Sequence, residues 1–361
     1  MPTLRSEQYW EDRARERMET IQQDALGTLR KIDRAYRSAE ASMLVQIRAM
    51  VKAFAGRYGI SEEDAAEILK TPCTIESYQA LVASVANMPD GVQKRMMIAE
   101  LNAPSARYRI SKTQAIREQT RAVCSRLADE EKKLFTDSLT KSVQDAYMRT
   151  EYDLQNGVGL MWETVGVSKR FVTQLLREDW SGASYRTRIS GRYAELADEL
   201  STLMLEGFLG GRSRAQMEEE LSHRFEMNRY EAKRLLVTET TYVTNAAQKQ
   251  LYEDEKLGEY RYQAVLDLKT SDVCQTLDGM VFEVKDAKVG KNYPPMHPNC
   301  RSTTIAVLDR EWLATVTRKA LDPITGESVT MPPNTSYRDW YKMMVDKHGE
   351  DKLRKAAKQQ A

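Results

Sequence analysis

The chain has 361 residues, enough for two domains of ordinary size. Lysine and arginine (54) balance aspartate and glutamate (53), so the net charge of +1 provides no general attraction to nucleic acid. The cysteines at 73, 124, 274 and 300 are too scattered for a disulfide framework, and no apolar run approaches the ~18 residues of a membrane span. With a charged N-terminus that lacks a secretory signal, this composition indicates a soluble, helix-rich protein made in a reducing cytoplasm.

The N-terminal part of the sequence predicts long helices. Apolar residues recur about every 3.7 positions from Trp10 to Phe54, without an intervening proline. This spacing predicts one long amphipathic helix, or two in line, whose apolar face packs on other helices. A helix that binds a partner protein is the alternative. Ser61 is expected to cap the next helix, and Met88–Gly91 to form a turn.

We expect a helix to end at Leu101, before Pro104, and a long helix to run from 111 to 156. A domain boundary is placed after Asn156, where glycines follow. Ser168 is expected to cap a short helix. Further helices are predicted over 184–209, 213–225 and 228–252.

Short strands interrupt this helical pattern near the C-terminal end. β-branched and aromatic residues predict strands at 263–266, 281–284 and 303–307. A tight turn is expected at 277–279, because Gly279 adopts positive φ readily. The fold class is therefore mainly α with a small C-terminal α+β domain, in which short antiparallel strands lie around residues 260–310. After this region we expect mostly loop, with a lysine-rich tail that is a frayed helix or disordered.

The strand-rich region also contains three side chains typical of zinc ligands: Cys274, His297 and Cys300. A closed structural zinc site needs four ligands, and Ser271 stands where a Cys-x-x-Cys pair would place a second thiolate. The fourth ligand would then come from a carboxylate, with three candidates: Asp267, Asp272 and Asp278. Two alternatives remain open. The loop is metal-free, with His297 bonded to backbone and both thiols packed as apolar groups, or the two cysteines form a disulfide.

Polar residues cluster on the helix before the strands: Arg234, Thr238, Glu239, Thr240, Thr241 and Asn245. One interpretation is a catalytic or phosphate-contacting face, and the other is a buried polar network that docks the helix on the sheet. Glu239 is a candidate partner for Arg301. The basic and aromatic residues between Arg186 and Tyr193 suggest either a contact with DNA phosphates or a solvated helix face. His223 and His348 are isolated and are not expected to be ligands.

Several stretches together resemble one family. TSDVCQTLDGMVF (270–282) and PPMHPNCRSTTIAV (294–307) resemble the C-terminal signature of the minor head proteins of tailed bacteriophages, the Mu F-like head morphogenesis family. The segments 180–225 and 231–248 resemble that family's helical approach, and SYRDWYKMM (336–344) resembles the segment after the signature. The resemblance covers roughly residues 160–345. The resemblance implies structural roles for further residues of these segments: Asp272, Asp278, Gly279, Pro294, Pro295, Pro298, Arg301 and, in the helical approach, Glu239.

This resemblance implies a structural, non-enzymatic role. We expect a helical docking region (1–156), a Mu F-like domain (157–335) and a C-terminal helix and tail (336–361). The implied partners are the portal protein, the major capsid or scaffolding protein, and viral DNA. The implied location is the virion head near the portal vertex, after assembly in the host cytoplasm, with a role in genome packaging or ejection.

An enzyme is the alternative. His-x-x-Cys segments beside strands also occur in zinc-stapled nucleases. The alternative function is therefore such a nuclease or another DNA-processing enzyme. Such a nuclease needs a histidine general base and a catalytic metal in addition to the structural zinc. The chain has three histidines, and only His297 lies in the strand region, so a nuclease is the weaker hypothesis.

Overall fold

The computed structural model describes residues 5–70, 85, 88–111, 114–158, 166–209, 212–308, 318–331 and 335–360. Cys73 and the glycine expected to cap the helix at 159 lie outside these ranges. The chain forms two compact units. Unit 1 comprises Met1–Leu29, Phe135–Tyr185 and Lys233–Ala361, and unit 2 comprises Arg30–Leu134 and Arg186–Ala232. The expected functional division at residue 156 stays a prediction.

The fold is mainly helical, as predicted. The helices in the described part of the chain are α1 (Glu7–Tyr58), α2 (Glu62–Lys70), α3 (Val92–Ser111), α4 (Gln114–Val158), α5 (Lys169–Leu175), α6 (Tyr185–Leu209), α7 (Arg214–Asp254), α8 (Asp272–Leu277), α9 (Tyr337–His348) and α10 (Glu350–Gln360). The strands are β1 (Glu259–Gln263), β2 (Val281–Glu283), β3 (Thr303–Val307), β4 (Arg318–Leu321) and β5 (Ser328–Met331). No helix in the described ranges is both long enough and apolar enough to cross a bilayer.

Helix α1 is one continuous helix whose apolar face is buried. Eleven of the thirteen side chains at the predicted spacing are at most 8% exposed: Trp10, Ala14, Met18, Ile21, Ala25, Ile32, Tyr36, Ala39, Met43, Ile47 and Phe54. The other two, Leu29 and Met50, are half-buried. The predicted core-facing packing is therefore confirmed. Burial of this face accounts for the continuity of a 52-residue helix, because packing rather than propensity supplies most helix stability.

Two predicted helix breaks are wrong. Helix α3 continues past Leu101 and through Pro104 to Ser111. A proline inside a helix can kink it without ending it. Helix α7 runs without a break at Asn228, where a new helix was expected to start. The Asn228 side chain donates to the carbonyl of Arg224, one turn earlier, so it bonds within the helix instead of capping a new one (3.4 Å).

Three strands form one antiparallel sheet in the order β2-β1-β3. Strand β3 has the predicted bounds and β2 ends one residue early, whereas β1 ends at Gln263, where the predicted strand 263–266 begins, so the predicted position of that strand is wrong. The Ala264 N–H donates to the Asp278 carboxylate instead of to a neighbouring strand. The central strand β1 is buried on both faces. Tyr260 and Tyr262 point to one side, and Arg261 points to the other, where it pairs with Glu7 and Glu11 of α1 (2.8 and 2.9 Å).

The C-terminal region contains more structure than the sequence predicts. Strands β4 and β5 form an antiparallel hairpin that was not predicted, and the tail forms the helix α10, which agrees with the helical alternative for this segment and not with the disordered one. Ser336 starts α9 with a capping box to Asp339. The fully buried Trp340 anchors an apolar cluster whose other members are Leu266, Ala320, Met331, Tyr337, Met344 and Leu353. Tertiary burial of these side chains explains the added order.

A buried ion pair within unit 1 gives a stability prediction. Asp153 on α4 accepts from Arg13 and Arg17 of α1 (both 2.6 Å), and the Asp153 and Arg17 side chains are only 3% and 5% exposed. Asp153→Ala leaves Arg17 buried without this carboxylate and is expected to lower the free energy of unfolding by about 3–5 kcal/mol. Glu16→Ala, which removes an exposed partner of Arg13, is the control and should cost about 0–1 kcal/mol. Equal urea midpoints for the two variants would contradict this prediction.

Candidate metal centre

Cys274 is positioned by the short helix α8. Ser271 caps this helix, and its hydroxyl accepts from the Cys274 backbone N–H (3.5 Å). The turn that follows is tied to β1: Asp278 accepts from the Ala264 N–H (2.8 Å), and Gly279 has the positive φ (78°) that the sequence predicts. The Cys274 thiol consequently faces the sheet, where the Tyr262 hydroxyl donates to it (3.2 Å).

His297 and Cys300 lie at the two ends of one tight turn. The Cys300 N–H donates to the His297 carbonyl (3.1 Å), and Asn299 adopts the left-handed conformation that asparagine tolerates (φ 60°). The chain enters this segment through a cis Pro294–Pro295 bond, and both prolines are buried. Pro298 is exposed. The turn brings the imidazole of His297 and the thiol of Cys300 to the same site as Cys274.

One face of α7 holds this segment in place. Thr238 accepts from the Asn299 N–H (3.0 Å), Thr241 donates to the Cys300 carbonyl (2.7 Å), and Asn245 donates to the Ser302 carbonyl (3.3 Å). These three residues recur at helical spacing and are buried. Gln248, a turn later, contacts the hydroxyls of Thr303 and Thr304 (3.1 and 3.3 Å). Thr238, Thr241 and Asn245 therefore form a buried docking network, as the docking interpretation predicts, whereas Arg234 of the same helix is exposed.

The three sequence-predicted ligands meet in unit 1. Their ligand atoms all lie within 4.8 Å of one another. The sulfur of Cys274 is 3.8 Å from the sulfur of Cys300 and 3.3 Å from Nε2 of His297. Both thiols are buried, and the His297 ring is half-buried. Whether these residues bind a metal stays a prediction.

The orientation of the His297 ring is set by its neighbours. Nδ1 lies 2.8 Å from the Pro298 carbonyl, and a carbonyl only accepts, so Nδ1 carries the proton. The other nitrogen, Nε2, then presents its lone pair toward Cys274 and the hydroxyl of Ser271, which is 2.7 Å away. A histidine that donates from one nitrogen to a backbone carbonyl is the usual arrangement for a metal ligand.

The two thiols affect each other's ionisation. A hydrogen bond from Cys300 lowers the pKa of the Cys274 thiol below its ordinary value, although burial opposes this shift. The same hydrogen bond, together with burial, raises the pKa of Cys300. Cys274 is therefore the more acidic thiol of the pair.

The expected carboxylate ligands lie elsewhere. Asp267 accepts two hydrogen bonds from Arg301 (2.6 and 2.7 Å), Asp278 holds the turn after α8, and Asp272 is exposed at the start of α8. None of them joins the cluster in the described part of the chain. The structure pairs Arg301 with Asp267 rather than with Glu239, whose carboxylate accepts from the indole of Trp180 (3.0 Å). The sequence does not show that Asp267 is the partner of Arg301, because the two residues are 34 positions apart.

The suggested DNA-contacting face on α6 is corrected at Arg192 and Tyr193, whereas Arg186 and Arg188 are exposed and a DNA contact there stays a prediction. Arg192 pairs with Glu131, and the Tyr193 hydroxyl donates to the same carboxylate (2.7 Å) within unit 2. Tyr36 bonds there too (3.3 Å), and Tyr193 is 2% exposed. Arg192 and Tyr193 therefore belong to a buried polar cluster. No sequence pattern predicts this cluster, because residues 36, 131 and 193 lie far apart in the chain.

Comparisons with known proteins bear on the same region. Residues 198–305 match the family model described as Phage Mu protein F like protein. This segment begins in α6 and ends in β3. The Mu F-like segment therefore includes α7 and all three of the clustered residues, and the match confirms the resemblance noted in the sequence.

The chain is also similar to one protein of described activity. The chain is 22% identical over 268 residues to the NAD(+)--arginine ADP-ribosyltransferase EFV of Enterococcus faecalis (strain ATCC 700802 / V583). The aligned region covers 69% of this chain and 54% of that protein, so the chain spans about half the length of this relative. No solved structure matches the chain.

The docking network gives a second stability prediction. Thr241→Val removes the hydroxyl that donates to the Cys300 carbonyl and is expected to lower the free energy of unfolding by about 1–3 kcal/mol, the cost of a buried unsatisfied polar group. Thr173→Val is the matched control, since the exposed Thr173 bonds only within its own helix; we expect a change within about 0.5 kcal/mol. Chemical denaturation measures both, and an unchanged midpoint for Thr241→Val would argue against the network.

Proposed function

We propose that this protein is a minor head protein of a tailed phage, which attaches at the portal vertex during head assembly and has a structural role. The match of residues 198–305 to the Mu F-like family carries this proposal. That match supports a role in head morphogenesis and a place in the virion. Contact with the portal protein and with the major capsid or scaffolding protein is the further step proposed here, as is help with packaging or ejecting the genome.

The contacts that signature residues such as Arg301 and Asp278 make with their neighbours support a structural role. Arg301 and Asp267 pair with each other, Thr241 and Asn245 bond to the chain around Cys300, and Asp278 closes a turn. These contacts are internal to unit 1 and hold the strands against α7. Residues employed in this way stabilise a fold rather than present groups to a substrate.

The docking surface is not the apolar face of α1. That face was a candidate partner-binding stripe in the sequence, but its side chains are buried within the chain. With a net charge of +1, the protein also lacks a general electrostatic attraction to DNA or to one class of partner. Attachment is therefore expected to use exposed, mixed polar surface.

The positions of the histidines weigh against the nuclease alternative. His297 bonds to Ser271 and Pro298, His348 bonds to Asp322 (2.7 Å), and His223 is exposed in unit 2. A nuclease of the kind considered needs a histidine general base beside a catalytic metal, separate from the structural site. The histidine that lies beside metal-type ligands, His297, is itself part of the cluster.

Co-assembly tests the proposal. The full chain is produced with the portal and major capsid proteins of the same phage, and the assembled shells are separated on a density gradient. We expect the protein to sediment with shells that contain portal and to stay at the top of the gradient when portal is omitted. If it stays at the top in both samples, the proposed attachment is wrong.

Activity assays test the enzyme alternatives on the same preparation. Incubation with NAD⁺ and an arginine-bearing acceptor is expected to transfer no ADP-ribose, and incubation with DNA and divalent metal is expected to cause no cleavage. DNA cleavage that disappears in a His297→Ala variant would favour the nuclease. Transfer of ADP-ribose would instead extend the activity named for the Enterococcus relative to this chain.

A further inference from the structure

We propose that Cys274, His297 and Cys300 bind one Zn²⁺ ion, and that the hydroxyl of Ser271 lines its fourth coordination position. This inference goes beyond the proposed role in head assembly and does not depend on it. Two sulfurs and one imidazole nitrogen form a donor set that zinc prefers. All three side chains belong to unit 1.

Two of the distances between ligand atoms fit a tetrahedral ion. With Zn–S bonds of about 2.3 Å and a Zn–N bond of about 2.0–2.1 Å, tetrahedral geometry places two sulfurs about 3.8 Å apart and a sulfur and a nitrogen about 3.6 Å apart. The sulfurs of Cys274 and Cys300 are 3.8 Å apart, and the sulfur of Cys274 is 3.3 Å from Nε2 of His297. These two distances lie within a few tenths of an ångström of the tetrahedral values, and the ligand atoms of the third pair, Cys300 and His297, lie within 4.8 Å of each other. An ion therefore requires the His297 nitrogen and the Cys300 sulfur to approach by up to about 1.2 Å.

Neighbouring residues fix the positions of the three ligand side chains. The Pro298 carbonyl fixes the His297 ring with Nε2 directed toward Cys274 and the Ser271 hydroxyl, and Thr241 holds the backbone of Cys300. Tyr262 donates to the sulfur of Cys274, which stabilises a thiolate. Because these neighbours already hold the ligands in place, little ordering cost remains when the ion binds.

The fourth position faces Ser271. Its hydroxyl lies 2.7 Å from Nε2 of His297, on the same helix cap as Cys274, and the nearby carboxylates of Asp267 and Asp278 bond elsewhere. Ser271 is half-buried, so a water molecule bonded to this hydroxyl can complete the coordination. A site with three protein ligands and one open position differs from a closed four-ligand site.

Bound zinc would join separate parts of the chain. It would link α8 to the turn at 297–300, which is already bonded to α7. A ligand that binds the folded state alone stabilises that state, so loading is expected to raise the melting temperature. A disulfide between the two cysteines is the competing state, and it would require the sulfurs to approach from 3.8 Å to about 2.05 Å.

Metal stoichiometry is the first test. The full chain is purified under reducing conditions, exposed to zinc, desalted and analysed for metal. We expect about one zinc per chain for the wild type and less than ~0.2 for Cys274→Ala and His297→Gln. Cys124→Ala and His223→Gln change the same residue types in unit 2 and should keep about one zinc per chain.

Because a ligand variant can also fail to fold, the second test uses a variant that should gain affinity. Ser271→Cys and Ser271→Ala both lose the capping hydroxyl, but only the first adds a thiolate at the fourth position. We expect Ser271→Cys to bind zinc at least about tenfold more tightly than Ser271→Ala in a competition titration with a chelator. Cobalt substitution should give visible absorption typical of a tetrahedral thiolate site, and the band should be more intense in Ser271→Cys.

Two results would overturn the proposal. One is less than ~0.2 zinc per chain in the wild type, together with equal zinc affinities for Ser271→Cys and Ser271→Ala. The other is a Cys274–Cys300 disulfide as the native state, found by peptide mass analysis of protein purified without reductant and alkylated at once. Neither result affects the gradient assay of head assembly, so failure of the zinc site and failure of the proposed function are distinguishable.

Discussion

The C-terminal sheet depends on the hydrogen bonds between one face of α7 and the chain from Asn299 to Thr304. Thr238, Thr241 and Asn245 bond to the backbone of this segment, which sets its register along the helix. Without these bonds, buried peptide groups would lack partners at a cost of about 1–3 kcal/mol each. The positions of His297 and Cys300 follow from this register, and so does the start of β3.

Apolar packing surrounds the polar contacts and provides most of the stability of this region. The polar contacts specify how the segment after Asn299 is positioned on α7. Tyr252, Tyr260 and Tyr293 form a buried cluster beside the sheet, and the Tyr293 hydroxyl donates to the Asn245 carbonyl (2.8 Å). Hydrophobic burial is nondirectional, whereas a hydrogen bond requires defined partners.

The elements that the sequence predicts correctly are those that a local pattern is sufficient to specify. The long amphipathic α1, the cap at Ser61, the turn before α3, the strand β3 and the positive φ of Gly279 all follow from periodicity or from backbone preferences of single residues. The sequence is less informative where tertiary contacts override local signals. Asn228 and Pro104 looked like helix ends but lie inside helices, and the hairpin β4–β5 had no clear local pattern.

Local patterns predict that the protein is mainly helical, that a short antiparallel sheet lies near residues 260–310, and that two cysteines and a histidine are candidate ligands. The meeting of these three side chains, the place of Ser271 beside them instead of a carboxylate, and the pairing of Arg301 with Asp267 come from the tertiary fold. Local patterns do not supply these contacts, because backbone preference and hydrophobic period act over a few residues. The contacts of His297 with Ser271 and Cys274, and of Arg301 with Asp267, join positions 23 to 34 residues apart, and the fold alone sets their distances.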